Sequence, residues 1–350
     1  MGITHFQYFL LFLSTFVLVG ALTPLMRRIA IKREIYDAPT QAHKTHKEPV
    51  PYLGGVAIII GVLVVAYGAT IAKSYSSQNF WLETSVLGPA LVLGIVGLID
   101  DLRNLSPAPR FIIQSIAGIF TAWLLVSSNT VGTPTGSKVV DSIITMVWVV
   151  GICNSINFFD NLDGGAAGTV AVSSIALFIL SFKGHQILIA ALAAVTAGAT
   201  IGFLLWNKSP ARIYMGDAGA LFLGILIATL TIRLEPNAET EWTSLATPVL
   251  LLAVPILDTC VAVTSRLRRG ISPFQGGHDH LSHRLIRRGM SRRRAAISLW
   301  ALSGVFGLCS FLITVTGKNP EQFIVGVSVV LWTSLLIYFL RTPDEKESIR

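Results

Sequence analysis

The stretch Asn154-Ser155-Ile156-Asn157-Phe158-Phe159-Asp160-Asn161-Leu162-Asp163-Gly164-Gly165 stands between two apolar runs, Ile143 to Cys153 and Ala166 to Leu180, yet carries three amides and two carboxylates. Its polar groups at 154, 157, 160 and 163 recur every third residue, which on a helix draws one slowly turning stripe. A carboxylate at the centre of a membrane helix costs about 2.5–3.5 kcal/mol. The stripe therefore reads either as a solvated helix end capped by Gly164-Gly165 or as a polar ligand site at the mouth of a membrane helix.

The composition around it decides the setting. The chain has 350 residues, 52% of them hydrophobic and only 13% charged, and its mean hydropathy is +0.65. Soluble domains carry about 25% charged residues. Apolar runs near span length recur from end to end, so the sequence predicts an all-α, polytopic integral membrane protein of one domain over 1–340, followed by a charged, solvated tail at 341–350. The run from Phe6 to Met26 is too long for a signal h-region and lacks a basic n-region, and is expected to be the first span. Cys153, Cys260 and Cys309 all lie in apolar segments and imply neither a disulfide framework nor a thiolate metal site.

Eleven spans are predicted, near 6–26, 53–73, 85–99, 110–127, 139–155, 166–183, 186–206, 218–234, 243–264, 295–316 and 322–340. With the N-terminus outside, loops 27–52, 100–110, 207–217 and 265–294 and the tail share one face and hold 22 of the 27 Lys and Arg residues. The positive-inside rule makes that face, and the C-terminus, cytoplasmic. The net charge of +8 is then a topological signal that needs no nucleic-acid partner.

Five unusual polar clusters fall on the same face: His43-Lys44-Thr45-His46-Lys47, Asp100-Asp101, the opening stretch, Arg212-Ile213-Tyr214-Met215-Gly216-Asp217, and His278-Asp279-His280-Leu281-Ser282-His283-Arg284. Asp100-Asp101 ends an apolar helix where the macrodipole disfavours anions, so a cation should offset the pair: a metal, or simply Arg103 and Arg110. Asp217 precedes an apolar run and reads as a plain N-cap or as a metal ligand. Asp217, Asp100 or Asp101 and the 160/163 pair are the oxygen ligands a hard cation such as Mg2+ takes, with phosphate oxygens and water completing its shell. Loop 265–294 holds nine arginines and three histidines, a composition that suits anionic lipid or, beside a cation, a diphosphate gripped by groups such as Arg266, Arg284, His280 and His283. Zinc is disfavoured, because no cysteine accompanies the histidines. A rival from another class is an ion-coupled transporter, which predicts acids at mid-membrane depth in both halves of a repeat.

In order and spacing these motifs resemble the polyprenyl-phosphate N-acetylhexosamine-1-phosphate transferase family. The matching elements are Asp37-Ala38-Pro39 with His46-Lys47-Glu48-Pro49-Val50-Pro51-Tyr52-Leu53-Gly54-Gly55, Gly97-Leu98-Ile99-Asp100-Asp101, Asn157 to Gly164, Tyr214-Met215-Gly216-Asp217, Pro255-Ile256-Leu257-Asp258, and His280 to Arg284. They cover roughly residues 20 to 295. The Pro255 to Asp258 element and the His-Leu-x-His-Arg form look more like the N-acetylglucosamine branch than the phospho-N-acetylmuramoyl-pentapeptide branch. Two positions depart from the family pattern: Ser282 stands where a histidine is usual, and His43 where many members have arginine.

The resemblance implies transfer of a sugar 1-phosphate from a UDP-N-acetylhexosamine, most simply UDP-N-acetylglucosamine, to a polyprenyl phosphate at the cytoplasmic membrane. UMP is released, Mg2+ is used with Mn2+ as a substitute, and the step initiates cell-envelope glycan synthesis. Carried over by position, Asp217 is the metal ligand, with Asp100 or Asp101 as a second, and Asp100, Asp101, Asp160 and Asp163 are catalytic or diphosphate-organising. Lys47 and Asn157 bind substrate, Tyr214 stacks on uracil, and His280 and His283 lie near the diphosphate or sugar. The resemblance also admits a homodimer, with no interface readable in the chain.

Overall fold

Long apolar runs fold here as helices because a helix satisfies its backbone N–H and C=O groups internally, the requirement that a hydrocarbon surround imposes. The computed structural model describes residues 4–37, 49–72, 76–103, 107–128, 135–273 and 277–342, with the backbone alone at 37, 107, 108, 110 and 111. Its helices are α1 (His5–Lys32), α2 (Gly54–Ala72), α3 (Ser77–Arg103), α4 (Pro107–Ser127), α5 (Lys138–Phe159), α6 (Gly165–Lys183), α7 (Ile187–Asn207), α8 (Gly216–Ile232), α9 (Glu241–Leu251), α10 (Ala253–Arg268), α11 (Leu281–Arg287), α12 (Arg292–Ile313) and α13 (Lys318–Leu340). Two short strands, β1 (Tyr36–Asp37) and β2 (Val50–Pro51), pair antiparallel.

Among the described residues eight helices, α1, α2, α3, α5, α6, α7, α12 and α13, are long and apolar enough to cross a membrane, and α9 with α10 makes a ninth if the bent pair is one span. Ile112–Ser127 and Gly216–Ile232 are shorter apolar helices lying where two more spans are expected from the sequence. The all-α polytopic architecture thus stands, and eight or nine helices meet the length of a full span.

Helix α8 is apolar on every side, a pattern stable only when the helix is surrounded. Every residue from Ala218 to Thr231 is buried, with α3 and α5 as its main neighbours and α2 alongside. Two glycines let backbones close on its start. A Cβ at Gly97 would lie 2.3 Å from the Asp217 carbonyl oxygen, and one at Gly55 2.2 Å from the Gly219 nitrogen. The segment ahead of α2 is laced to the segment ahead of α8: Tyr214 donates its N–H to Pro51, and Gly54 and Gly55 donate theirs to Tyr214 and Met215, each at 3.0 Å.

The run expected as one span at 243–264 is two helices meeting at 73°. Pro255 has no N–H to donate back to Leu251, which frees that carbonyl. Ser173 donates to it at 2.8 Å, and Trp332 donates to the Ala253 carbonyl at 3.0 Å, so α6 and α13 hold the bend. The break aims α10 so that Asp258 and Arg266 reach the loop leading into α11.

Candidate active site

The carboxyl end of α3 and the amino end of α8 meet head to tail. Asp101 accepts the N–H groups of Asp217 at 2.8 Å and Ala218 at 3.0 Å. A helix N-terminus carries unsatisfied donors and partial positive charge, so an acid that is badly placed at the end of its own helix is well placed at the start of another. Gly216, at φ +66°, makes the turn into α8, and a Cβ there would lie 2.4 Å from Asp101 Oδ2. Tyr52 donates its hydroxyl to the Asp101 carbonyl at 2.7 Å.

From α5, Asn157 Nδ2 donates to Asp217 Oδ1 at 2.8 Å. Asp160 follows as the C-cap of α5, and its carboxyl is pushed up to about 7, first by burial and then by the charges of Asp217 and Asp163. Asp163 accepts the Ala211 N–H at 3.1 Å and receives the Tyr214 hydroxyl at 3.4 Å. Gly164, at φ +72°, turns the chain into α6, its N–H donated to Asn207 at 3.0 Å and its carbonyl receiving Trp300 Nε1 at 3.1 Å. Asn157, Asp160 and Asp163 of the stripe therefore gather at the start of α8, while Asn154 donates back to the Val150 carbonyl at 2.8 Å. Four acids, Asp101, Asp160, Asp163 and Asp217, crowd into one electrostatic neighbourhood.

The long loop closes over this group from the other side. Ser282, at the position departing from the family pattern, donates to Asn161 Oδ1, and Asn161 donates to the Phe158 carbonyl at 2.7 Å. His280 lies edge-on to Phe158 with ring centres 6.4 Å apart. Its Nδ1 is 2.7 Å from Asp258 Oδ2, and its Nε2 is 3.2 Å from Arg266 Nη2. A guanidinium only donates, so Nε2 accepts and the ring proton sits on Nδ1, facing Asp258. Asp258 also accepts the Leu281 N–H at 2.7 Å. Arg266 binds Asp279 at 3.0 Å and the Pro273 carbonyl at 2.7 Å, and Arg269 also pairs with Asp279. His283 packs 4.8 Å from His278 and 6.3 Å from His280 by ring centres. Its imidazole is pushed down to about 3, first by burial and then by the electrostatic influence of its neighbours His280, His278, Arg287 and Arg292. It is uncharged at neutral pH.

Four of the five clusters read from the sequence thus join in one hydrogen-bonded neighbourhood. The fifth, with Lys47, lies outside the described residues. Arg266 and Arg284 stand in this neighbourhood with donors turned to the protein. Arg284 is 1% exposed and binds the carbonyls of Asp279, Phe339 and Thr342, tying the loop to the end of α13. Sequence reasoning left Asp258, Asn161, Asp279 and Tyr52 unassigned. Asp258 carried the clearest signal, a carboxylate inside an apolar run.

Among the described residues no group of three or more His, Cys, Asp or Glu side chains encloses a metal site. Mg2+ does not require one, since it binds through one or two carboxylates with substrate phosphates and water. Asp217 and Asp101 meet at the start of α8 and supply that hard, anionic donor set.

A family model described as glycosyl transferase family 4 matches residues 83–235. The chain is 29% identical over 334 residues to a probable undecaprenyl-phosphate N-acetylglucosaminyl 1-phosphate transferase of Bacillus subtilis, covering 94% of this chain and 87% of the relative. It is 30% identical over 354 residues to a decaprenyl-phosphate N-acetylglucosaminephosphotransferase of Mycolicibacterium smegmatis, covering 92% and 86%. Similarity to a phospho-N-acetylmuramoyl-pentapeptide-transferase of Streptococcus agalactiae, 29% over 220 residues, spans 57% of this chain and 62% of that one.

Proposed function

The chain belongs to glycosyl transferase family 4, among the polyprenyl-phosphate N-acetylhexosamine-1-phosphate transferases, and from that premise we propose that it transfers N-acetylglucosamine 1-phosphate from UDP-N-acetylglucosamine to a polyprenyl phosphate. The observation that carries the reading is the gathering of Asp101, Asn157, Asp160, Asp163 and Asp217 around the start of α8. The N-acetylglucosamine donor is favoured over the muramoyl-pentapeptide one by the near full-length similarity to N-acetylglucosamine phosphotransferases.

In this reading an oxygen of the lipid phosphate attacks the β-phosphorus of the UDP-sugar. The bond from that phosphorus to the bridging oxygen breaks, UMP leaves with the oxygen, and the sugar phosphate stays on the lipid as a diphosphate. A phosphate monoester has its second pKa near 6, so the acceptor is mostly dianionic at neutral pH and calls for no strong base. Asp217 and Asp101 would hold Mg2+, which supplies charge neutralisation on the diphosphate oxygens. The protein's own part is positioning. Asn157 orients Asp217, Asp163 holds Tyr214 at the nucleotide side, and the Asp258, His280, Arg266 and Asp279 network fixes the loop facing the phosphates. The concentration of Lys and Arg on one face supports a cytoplasmic site in the cytoplasmic membrane, with the N-terminus outside.

The test is UMP release by the purified protein from UDP-N-acetylglucosamine and undecaprenyl phosphate, with Mg2+ or EDTA, beside Asp217→Asn. Release that needs lipid and Mg2+ and is lost in the variant is the expected result. Release with another UDP-N-acetylhexosamine alone would correct the donor, and none with any donor from folded protein would overturn the reading.

A further inference from the structure

Away from the acids, Arg288, Ser334, Ile337, Tyr338 and Arg341 line an open cavity of about 540 Å3 between the end of α11 and the end of α13. Arg288 lies over Tyr338, its Cζ 3.9 Å from the ring centre, and donates to Thr342 Oγ1 at 2.9 Å. Among the described residues neither Arg288 nor Arg341 enters an ion pair. Among the described residues no carboxylate lines the concavity these two guanidiniums share, so they repel one another there, and an anion between them would turn that repulsion into charge-assisted hydrogen bonds.

What kind of anion follows from α13 itself. Phe323, Val327, Val330, Ser334, Ile337 and Arg341 recur at alternating spacings of four and three, which places them on one helix face. All six are exposed. The face is apolar from Phe323 to Val330, turns polar at Ser334, and ends on an arginine with a tyrosine beside it. That order matches a lipid lying along a helix: chain against the apolar length, head group at the aromatic and basic end. A soluble phosphate would use the arginines and leave the stripe unused.

We infer that this cavity binds the head group of an anionic membrane phospholipid, with its phosphate between Arg288 and Arg341 and an acyl chain along α13. The site lies on the same turn of chain that Arg284 uses to hold the active-site loop, through the Phe339 and Thr342 carbonyls. A bound lipid therefore steadies the end of α13 to which that loop is fastened.

The experiment is native mass spectrometry of the detergent-purified full chain titrated with phosphatidylglycerol, phosphatidylcholine, or phosphatidylglycerol with excess inorganic phosphate. It compares the parent protein with Arg341→Gln, Arg288→Gln/Arg341→Gln and, as a control elsewhere in the basic loop, Arg293→Gln/Arg294→Gln. Among the described residues the Arg341 side chain makes no hydrogen bond or ion pair, so Arg341→Gln keeps the test open if the double variant folds poorly. Expected is preferential binding of phosphatidylglycerol, weakened about tenfold or more in the Arg288/Arg341 variant, reduced in Arg341→Gln and unchanged in the control. Equal loss in the control would reduce the effect to general basic attraction, and displacement by inorganic phosphate would make the site one for soluble phosphate. Either result, or undiminished binding by the variants, overturns the inference.

Discussion

The side chain of Asp101 closes the helix that Asp217 begins, accepting the Asp217 N–H at 2.8 Å and the next one at 3.0 Å. The two acids meet through one's carboxylate and the other's backbone, which leaves the Asp217 side chain turned toward Asn157. Asp101 thereby answers the helix dipole while Asp217 adds a second negative charge to the same spot, an arrangement costly without a cation and useful with one.

Their neutral variants should therefore separate. Asp101→Asn keeps an acceptor oxygen but loses the charge at the start of α8, and is expected to cost about 1 kcal/mol of stability together with most UMP release. Asp217→Asn keeps the cap and relieves repulsion within the acid cluster, so Tm should hold or rise while UMP release falls about 100-fold or more. Thermal unfolding in detergent and a UMP assay read both. Equal destabilisation by the two substitutions would mean that the division of labour is not real.

Backbone proximity at the same junction gives a second prediction. A Cβ at residue 97 would stand 2.3 Å from the Asp217 carbonyl oxygen, and helix backbone cannot swing aside as a flexible side chain can. Gly97→Ala should cost about 1–3 kcal/mol and reduce activity by shifting Asp217. Gly68→Ala, where an added Cβ meets nothing within 4 Å, is the matched control and should be silent in both assays. A silent Gly97→Ala would show that α3 and α8 do not pack this closely.

Much of this site was legible in the sequence because membrane burial is so costly to polar groups that each one present marks an unusual place. The 154 to 163 stripe, Asp100-Asp101 and Asp217 could be assigned to one face from span alternation alone. The loop arginines could not be apportioned. Their charge suggested grips for a ligand, whereas Arg266 and Arg284 direct their donors to protein groups, and only the packing of α10, α11 and α13 decides such partners. The bend at Leu252 was equally hidden. Pro255 announces a missing donor, but the Leu251 carbonyl it frees is satisfied by Ser173 and the neighbouring Ala253 carbonyl by Trp332, both from distant segments, which no local pattern reveals.

Asp160 gives a pH-dependent prediction. Its carboxyl is raised to about 7 by burial, then by Asp217 and Asp163, so the folded protein favours the protonated form. A group raised in the folded state contributes stability that is full below its unfolded value near 3.9 and is lost as pH rises through about 7. A bound cation favours the charged form and restores what is lost. The Tm gain from Mg2+ should accordingly be larger at pH 8 than at pH 6, and Asp160→Asn should narrow that difference. An equal gain at both values, unchanged in the variant, would place the cation elsewhere.

The Asp258 and His280 pair carries the last prediction. Asp258 is fully buried and accepts two N–H groups, from His280 Nδ1 and from Leu281, both at 2.7 Å. Removing it leaves the His280 Nδ1–H and the Leu281 N–H buried without their acceptor, and Asp258→Ala should cost about 1–3 kcal/mol for each. Asp258→Asn is the more informative change. An amide offers one acceptor oxygen in place of two, so it cannot serve both N–H groups, and its NH2 favours the ring tautomer whose Nε2 proton would face the Arg266 guanidinium. The histidine should tilt, and UMP release should fall about 10–100-fold with a smaller loss of Tm. If the two residues act as one unit, Asp258→Asn in a His280→Gln background should add little to the activity loss. Fully additive losses would mean that Asp258 serves α11 through Leu281 alone and that the His280 ring is held by Arg266.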